Sequence, residues 1–255
     1  YMIAVDKAHC VSQWGHDFRP SYLRIKEFID SFEKRPIVSA FTATATDDVK
    51  QDIRKLLGLQ EPFTITTGFD RPNLSFTVIR PERKERQLLD LVSDRKDLSG
   101  VIYCSKRSTV EDICALLCSK GYEATRYHAG LDEEERRSNQ DDFIFDRKSI
   151  MVATNAFGMG IDKSNVSYVI HYNIPKNIES YYQEAGRAGR DGTEADCILL
   201  YSPGDVRTIQ YFIEHGNDNE ELDEETREKI KEKDSERLKQ MVFYATTNDC
   251  LRAFI

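Results

Sequence analysis

The sequence lacks the features that mark membrane, secreted and disulfide-stabilised proteins. No apolar run approaches the roughly 20 residues of a membrane-spanning helix, and Tyr1 opens directly on a strand-like run, so we expect no signal peptide. The six cysteines include no C-x-x-C pair and show no regular spacing, and several of them lie within apolar patterns. We therefore expect reduced, buried thiols in an intracellular protein.

The chain also lacks an excess of positive charge. Its formal net charge is −8 and its pI is about 5.3, which on its own argues weakly against a nucleic-acid partner. About five of the surplus negative charges fall within residues 214–239, which we interpret as a solvated helix face. The rest of the chain is close to neutral, so a local basic groove is still compatible with the sequence.

Apolar strand-like runs alternate with amphipathic helical stretches along the chain, and this alternation predicts an α/β fold with parallel sheets and helices on both faces. Ser108 and Glu111 have the spacing of a capping box at the start of one helix. We expect one complete domain over 74–205, preceded by the C-terminal part of another domain and a turn-rich linker over 1–73, and followed by helices over 206–255. The predicted strands are 1–5, 36–41, 63–66, 74–79, 100–104, 123–128, 149–154, 167–172 and 196–201, and the predicted helices are 20–32, 46–57, 82–94, 108–120, 132–145 and 178–187.

Unusual residue clusters follow the predicted strands, where an open parallel sheet binds its ligands. Asp6 ends the first strand, "TATAT" follows the second, and "TNAFGMGID" follows "SIMVA". A carboxylate placed like that of Asp6 can hold a magnesium ion beside phosphates. Lys7 is unexpected, because it puts a cation where a second carboxylate is usually needed.

The stretch "QEAGRAGRDG" carries two arginines at the predicted end of a helix. Arg187 and Arg190 are three residues apart, so we expect both to project from one side of the helix end. Two guanidinium groups held in this way could bind phosphate oxygens or neutralise charge on a γ-phosphate as arginine fingers. A surface pair on a helix end is an equally good interpretation of these residues in isolation.

The segment "SQWGHDFRPSY" concentrates aromatic side chains in a predicted exposed loop. Trp14, His16, Phe18 and Tyr22 alternate there with polar residues and with Arg19. This mixture suits stacking on unpaired bases, and a local hydrophobic mini-core explains it equally well.

Together these stretches resemble RecQ DNA helicases over essentially the whole chain. The resemblance is carried by "DKAHCVSQWGHDFRPSY", "FTATAT", "FDRPNL", "VIYCSKR", "YHAGL", "VATNAFGMGIDK", "HYNIPKNIESYYQEAGRAGRDG" and "YSPGDV", in that order. The segments 12–20 and 152–192 are specific to RecQ proteins rather than to helicases in general. The chain looks like a RecQ helicase whose front part is missing.

The resemblance implies a motor of two RecA-like domains that binds ATP and Mg²⁺ in the cleft between them and moves 3′ to 5′ along DNA. Asp6 would hold magnesium, His9 would couple this catalytic motif to the neighbouring motifs, and Lys7 stands at the position of the family's catalytic glutamate. Arg187 and Arg190 would be the finger and the γ-phosphate contact. Gly160, Asp162 and Gln183 would face the nucleotide. Thr42 and Thr44 would link the ATP site to DNA. The residues in contact with DNA would be Trp14, His16, Phe18, Arg19, Thr44, Ser105, Lys106 and Thr154.

The chain departs from the family pattern at three places. The family has glutamate where this chain has Lys7, and a lysine cannot accept a proton from the attacking water. No G-x-x-x-x-G-K-[ST] phosphate loop occurs in the 255 residues, so we expect this chain alone not to hydrolyse ATP. Cys250 matches the first of four family cysteines, and one cysteine cannot make a structural zinc site, so Zn²⁺ is expected only in the full-length protein.

These observations support two hypotheses of different classes. The first is part of an ATP-dependent DNA helicase acting in repair and recombination, with single-stranded and partly duplex DNA as partner, no membrane partner, and a monomeric state. Its expected location is the bacterial cytoplasm near the nucleoid, or the nucleus in a eukaryote. The second is a helicase-derived module that binds DNA or a partner without ATP turnover, which Lys7 favours. A third possibility is that Lys7 is an engineered or erroneous residue in an active enzyme.

Overall fold

The computed structural model describes residues 1–12, 18–42, 45–66, 70–158, 163–215 and 224–255. Its contacts divide the chain into two units, Tyr1–Phe69 and Asp70–Ile255. Residues 70–73, which the sequence placed in a linker, therefore pack with the second unit. The division into a partial domain, a complete domain and the start of a zinc module stays a prediction.

The first unit is built around two parallel strands. Strand β1 (Met2–Val5) pairs with β2 (Ile37–Ala40), and the register places Val5 opposite Ala40. Two helices accompany them, α1 (Arg24–Asp30) and α2 (Asp47–Leu56). The side chain of Thr46 caps α2 by accepting a hydrogen bond from the amide of Val49 at 3.4 Å.

The second unit contains a six-stranded sheet in which every pairing is parallel. Its strand order is β3-β8-β7-β4-β6-β5. The strands are β3 (Leu74–Ile79), β4 (Gly100–Tyr103), β5 (Ala124–Tyr127), β6 (Ile150–Ala153), β7 (Tyr168–His171) and β8 (Ala195–Leu200). The helices are α3 (Lys84–Ser93), α4 (Arg107–Ser119), α5 (Glu133–Ile144), α6 (Ile178–Ala185), α7 (Pro203–His215), α8 (Glu224–Thr246) and α9 (Leu251–Phe254).

Both faces of this sheet are covered, which explains the continuous apolar runs of its central strands. Every residue of β4, β6 and β7 is buried. One hydrophobic cluster joins the strands to α3 and α4, and a second includes Phe143 and Phe157. A third cluster brings α7 and α8 against Tyr181 of α6. The predicted α/β fold with helices on both faces of a parallel sheet is confirmed.

Four local predictions were wrong. Residues 63–66 form no strand, and Phe63 and Ile65 are exposed there, so no apolar face is buried that would favour pairing. The predicted helix over 20–32 begins as a 3₁₀ turn, Pro20–Leu23, before α1. Helix α4 begins at Arg107, which places Ser108 inside it and removes the predicted capping box. Helix α6 ends at Ala185, not near Arg187.

The cysteines are free, and four of them are buried. Cys118 and Cys250 are exposed, so the expectation of buried thiols fails for these two. Burial raises the pKa of Cys197 to about 12, which keeps that thiol protonated and inert at neutral pH. None of the described helices has the length and hydropathy of a membrane span.

Candidate functional site

The turn after β1 presents the predicted magnesium carboxylate. Asp6 is exposed, and its Oδ1 accepts a hydrogen bond from the amide of Lys7 at 2.8 Å. Lys7 itself adopts a left-handed conformation, with φ 50° and ψ 42°, which non-glycine residues rarely adopt. The turn therefore holds the backbone amide of residue 7 against the Asp6 carboxylate in a constrained conformation.

A side-chain hydrogen bond joins the ends of β1 and β2. The buried His9 lies in a 3₁₀ turn, Ala8–Val11, and its Nδ1 is 2.7 Å from Oγ1 of Thr42. Thr42 follows β2, so the parallel pairing of the strands brings the two predicted motifs together. The structure thus shows direct contact between the "DKAH" turn and the start of "TATAT".

The aromatic segment is described only in part. Phe18 and Arg19 are half-buried, and the amide of Arg19 donates to the carbonyl of Cys10 at 2.9 Å, which ties the end of the segment to the turn after β1. Trp14, His16 and Thr44, the other predicted DNA contacts of this unit, lie outside the described residues, as do Gly160 and Asp162.

In the second unit, the predicted DNA contacts lie at the edge of the sheet formed by the carboxyl ends of its strands. Ser105 and Thr154 follow β4 and β6, which pair so that Tyr103 lies opposite Ala153. The amide of Ser105 donates to Oδ1 of Asn173, which follows β7, at 3.1 Å.

The ammonium of Lys106 lies 5.9 Å from the ring centroid of Phe212. A cavity of about 280 Å³ opens at this edge, and its lining includes Ser105, Lys176 and Phe212.

The two predicted phosphate-binding arginines lie in a turn after α6, residues 186–190, which we call the arginine loop. The half-buried Arg187 donates from Nη1 to the carbonyl of Gly158 at 2.5 Å, whereas Arg190 is exposed. Gly158 has φ 116°, and a Cβ there would lie 2.0 Å from Cζ of Arg187. Only glycine at 158 therefore lets this guanidinium approach the backbone that precedes "MGID".

Buried aromatic and charged groups lie next to the arginine loop. The hydroxyl of Tyr103 donates to the carbonyl of Phe157 at 3.3 Å. Burial raises the pKa of this phenol, and the charge of Arg187 opposes that effect only in part. The His171 ring stacks on Tyr103, and its Nε2 is 2.9 Å from Oε2 of Glu184 in α6. These contacts connect β4, β7 and α6.

Two further residues hold the loop, and the sequence did not single them out. Arg71 donates to the carbonyls of Ala188 at 3.0 Å and Gly189 at 2.8 Å. Asn73 donates to the carbonyls of Gly189 at 2.9 Å and Thr193 at 2.8 Å. The motif "FDRPN" contains both residues, and its turn-rich composition indicated only a linker.

The remaining predicted residues are Gln183 and Cys250. Gln183 is a half-buried residue of α6. Cys250 is exposed and precedes α9. Among the described residues, no group of three or more His, Cys, Asp or Glu side chains could hold a metal ion, so Cys250 has no partners here for a structural zinc site.

Comparisons with known proteins match this chain to helicases. A model of the helicase conserved C-terminal domain matches residues 83–192, and a RecQ zinc-binding model matches residues 203–255. The ATP-dependent DNA helicase RecQ of Bacillus subtilis is 44% identical over 254 residues, which is 100% of this chain and 42% of that protein. The RecQ helicase of Pasteurella multocida is 48% identical over 83% of this chain and 33% of its own length. The chain thus spans less than half the length of these relatives.

A solved structure of Saccharomyces cerevisiae Dbp5 bound to RNA and ADP BeF3 has the same fold. It matches with a TM-score of 0.67 at 20% identity, over 91% of this chain and 63% of that chain. At this identity the likeness concerns the fold alone. The RecQ-specific relatives and the two family models, together with the motif order and the sheet, show that this chain belongs to the RecQ family of DNA helicases.

Proposed function

We propose that the chain contributes the second RecA-like domain and part of the first to an ATP-dependent DNA helicase that moves 3′ to 5′ and acts in repair and recombination. The arginine loop is the observation that carries this proposal. It places one guanidinium against Gly158 and a second on the surface, three residues later. Guanidinium groups held in a fixed frame stabilise the charge that develops on a transferring phosphoryl group.

The first unit would supply the metal-binding carboxylate. Mg²⁺ commonly takes one or two protein carboxylates together with phosphate oxygens, and the exposed Asp6 carboxylate, with one oxygen held by the amide of Lys7, fits that requirement. A magnesium ion there would neutralise charge on the phosphates. The His9–Thr42 hydrogen bond would then connect this site to the DNA-linked "TATAT" motif.

DNA would lie along the edge formed by Ser105, Lys106 and Thr154. Lys106 offers a cation for the phosphate backbone, and such contacts are independent of base sequence. The aromatic segment would sense the unpaired strand, with Gly160, Asp162 and Gln183 facing the nucleotide. We place the protein where chromosomal DNA is held, in the bacterial cytoplasm or a eukaryotic nucleus, and propose that it acts as a monomer.

Lys7 favours a second candidate, a module that binds DNA without ATP turnover. A general base contributes about 10²–10⁴ to a rate, and a protonated lysine cannot serve as that base. The 255 residues also contain no phosphate loop. This chain by itself would therefore bind without hydrolysing ATP under either proposal, and the two differ in what happens when residue 7 is changed.

A chimera distinguishes the two proposals. In it, this chain replaces the 254-residue matching region of the Bacillus subtilis relative, so that the rest of an ATP-dependent helicase surrounds it. We expect the chimera with Lys7 to show little DNA-stimulated ATPase activity, and Lys7→Glu to raise the activity by about 10²–10⁴ because a carboxylate again accepts the proton. The measurement is steady-state ATP hydrolysis with and without single-stranded DNA.

The matched control is Lys34→Glu, the same charge change at an exposed residue in the turn before β2. It should leave the ATPase rate unchanged. A Lys7→Glu chimera that binds ATP and DNA yet turns over no ATP would reject the motor and support the binding module.

A further inference from the structure

The arginine loop depends on hydrogen bonds from outside itself. Its own amides are satisfied nearby: Arg187 donates to Glu184, Ala188 to Ala185, and Gly189 to Val166 at 2.8 Å. Its carbonyls also need donors, because a buried carbonyl without a partner is costly. The carbonyl of Gly189 accepts one hydrogen bond from the amide of Gly192 at 3.0 Å, and further side-chain donors to the loop carbonyls are on residues 71 and 73, more than a hundred positions earlier in the chain.

Arg71 and Asn73 form one clamp on these carbonyls. The guanidinium of Arg71 reaches the carbonyls of Gly186 at 3.4 Å, Ala188 at 3.0 Å and Gly189 at 2.8 Å, and its Nε is 3.4 Å from Oδ1 of Asn73. The planar fork of an arginine can span several acceptors in one orientation, which a lysine ammonium cannot do.

Glycine at position 189 makes the approach of Asn73 possible. Gly189 has φ 58°, and a Cβ there would lie 2.4 Å from Nδ2 of Asn73. The hydrogen bond from Asn73 to the arginine loop therefore depends on the absence of a side chain at position 189.

Another arginine, from helix α9, holds the segment that carries the clamp. Arg252 of α9 donates from Nη1 to the Asp70 carboxylate and to the carbonyl of Arg71, both at 2.9 Å. Its Nη2 reaches the carbonyl of Pro72 at 3.4 Å and also bonds the carbonyl of Leu74. Segment 70–74 is thus held by α9 on one side and holds the arginine loop on the other.

We propose that Arg71 and Asn73 are positioning residues for the phosphate-binding arginines, with Arg252 fixing the segment that carries them. This inference rests on the proposed function of Arg187 and Arg190. The carbonyls of Gly186 and Ala188 flank Arg187, so their orientation sets the direction in which its side chain leaves the backbone. A misplacement of about 1 Å at a reacting centre can reduce a rate by about 100-fold.

The first test uses this chain itself and needs no activity. Hydrogen exchange is measured on peptides that cover residues 184–192, in Arg71→Ala, in Asn73→Ala and in the parent. We expect exchange in that segment to quicken by about tenfold or more in both variants, because each variant removes side-chain donors that hold the loop carbonyls. The matched control is Arg147→Ala, which removes an exposed pair with Asp142 and should leave the segment unchanged.

The second test uses the Lys7→Glu chimera. Arg71→Ala should lower kcat by about 100-fold with a smaller change in KM for ATP, and Arg71→Lys should recover only part of the loss. Adding Arg71→Ala to a variant that already lacks both loop arginines should cost little more, because the clamp would then have nothing to position.

These results separate a positioning role from a structural one. The proposal is overturned if Arg71→Ala slows the enzyme equally with and without the loop arginines, or if exchange at 184–192 does not respond. If the Lys7→Glu chimera hydrolyses no ATP, the proposed function fails, while the exchange comparison still decides whether the clamp holds the loop.

Discussion

Gly158 shows how one missing side chain can determine the position of Arg187, for which we propose a catalytic role. The guanidinium of Arg187 occupies the space that a Cβ would fill, at 2.0 Å from its Cζ, and donates to the carbonyl of the same glycine. The atom that would collide is the far end of a flexible side chain, so Arg187 would move before the backbone did. A substitution at Gly158 should therefore affect the placement of Arg187 more than the stability of the fold.

We predict that Gly158→Ala in the Lys7→Glu chimera lowers the ATPase rate by about 10²-fold or more, since displacement of an arginine finger removes much of its effect. Its free energy of unfolding should fall by only about 1–3 kcal/mol, the cost of strained backbone at φ 116°. ATP hydrolysis and denaturant unfolding are measured on the same variants.

Gly121→Ala is the matched control, because Gly121 has φ 83° and nothing lies within 4 Å of its hypothetical Cβ. Gly121→Ala should lower the free energy of unfolding through backbone strain without lowering the ATPase rate. If the two variants hydrolyse ATP equally well, the contact between Gly158 and Arg187 has no catalytic consequence.

At the scale of single elements, two helix starts show where a capping hydrogen bond forms and where a suggestive spacing gives none. Asp132 precedes α5, and its Oδ1 accepts a hydrogen bond from the amide of Glu135 at 2.8 Å. Ser108 has an equally suggestive spacing to Glu111, yet it lies inside α4. Glu111 instead contacts His128 at 2.7 Å and Arg126 at 3.0 Å, on and after β5.

Alanine substitutions should distinguish these two positions. Asp132→Ala is expected to lower the free energy of unfolding by about 1 kcal/mol, because it removes a cap and a carboxylate from the positive end of a helix. Ser108→Ala should change it by less than about 0.5 kcal/mol, since alanine suits a helix interior. Denaturant titration of this chain measures both, and equal losses would show that Ser108 is a cap in solution.

The elements that the sequence predicted well are those whose pattern is local. Continuous apolar runs identified β4, β6 and β7, because strands buried on both faces admit few polar residues. The predicted C-terminal end of α6 was wrong because the sequence has glycines at both 186 and 189. Either glycine could end a helix, so the pattern does not indicate at which residue α6 ends. The strand expected at 63–66 failed since strand propensity alone does not bury Phe63 or Ile65.

At the scale of the whole molecule, the candidate site was predictable wherever a motif carries its own chemistry. Asp6, Arg187 and Arg190 were identified from residue type and position after a strand or helix, and His9 from the resemblance to the family motif. Their functional roles stay predictions. Arg71 and Asn73 were not identified, because their partners are more than a hundred residues away and no local periodicity encodes such contacts.

The two units differ in how fully they bury apolar side chains. In the second unit, clusters on both faces of the six-stranded sheet leave its central strands buried. In the first unit, Met2 and Ile37 of the two-stranded sheet are 68% and 71% exposed, and Phe41, which follows β2, is 57% exposed. Small sheets with an uncovered apolar face have little independent stability.

We therefore predict that residues 70–255 fold without the first unit, whereas residues 1–69 do not fold alone. The isolated 70–255 chain should keep a cooperative thermal transition and slow hydrogen exchange in β4, β6 and β7, because its core is complete. The isolated 1–69 chain should lack such a transition and should bind an apolar dye through its exposed strand faces. Circular dichroism during heating measures both chains.

Two outcomes would contradict the prediction. Loss of the thermal transition in residues 70–255 would mean that the first unit contributes to the stability of the second. A cooperative transition in residues 1–69 would mean that β1 and β2 are stable without further elements packed on their exposed faces.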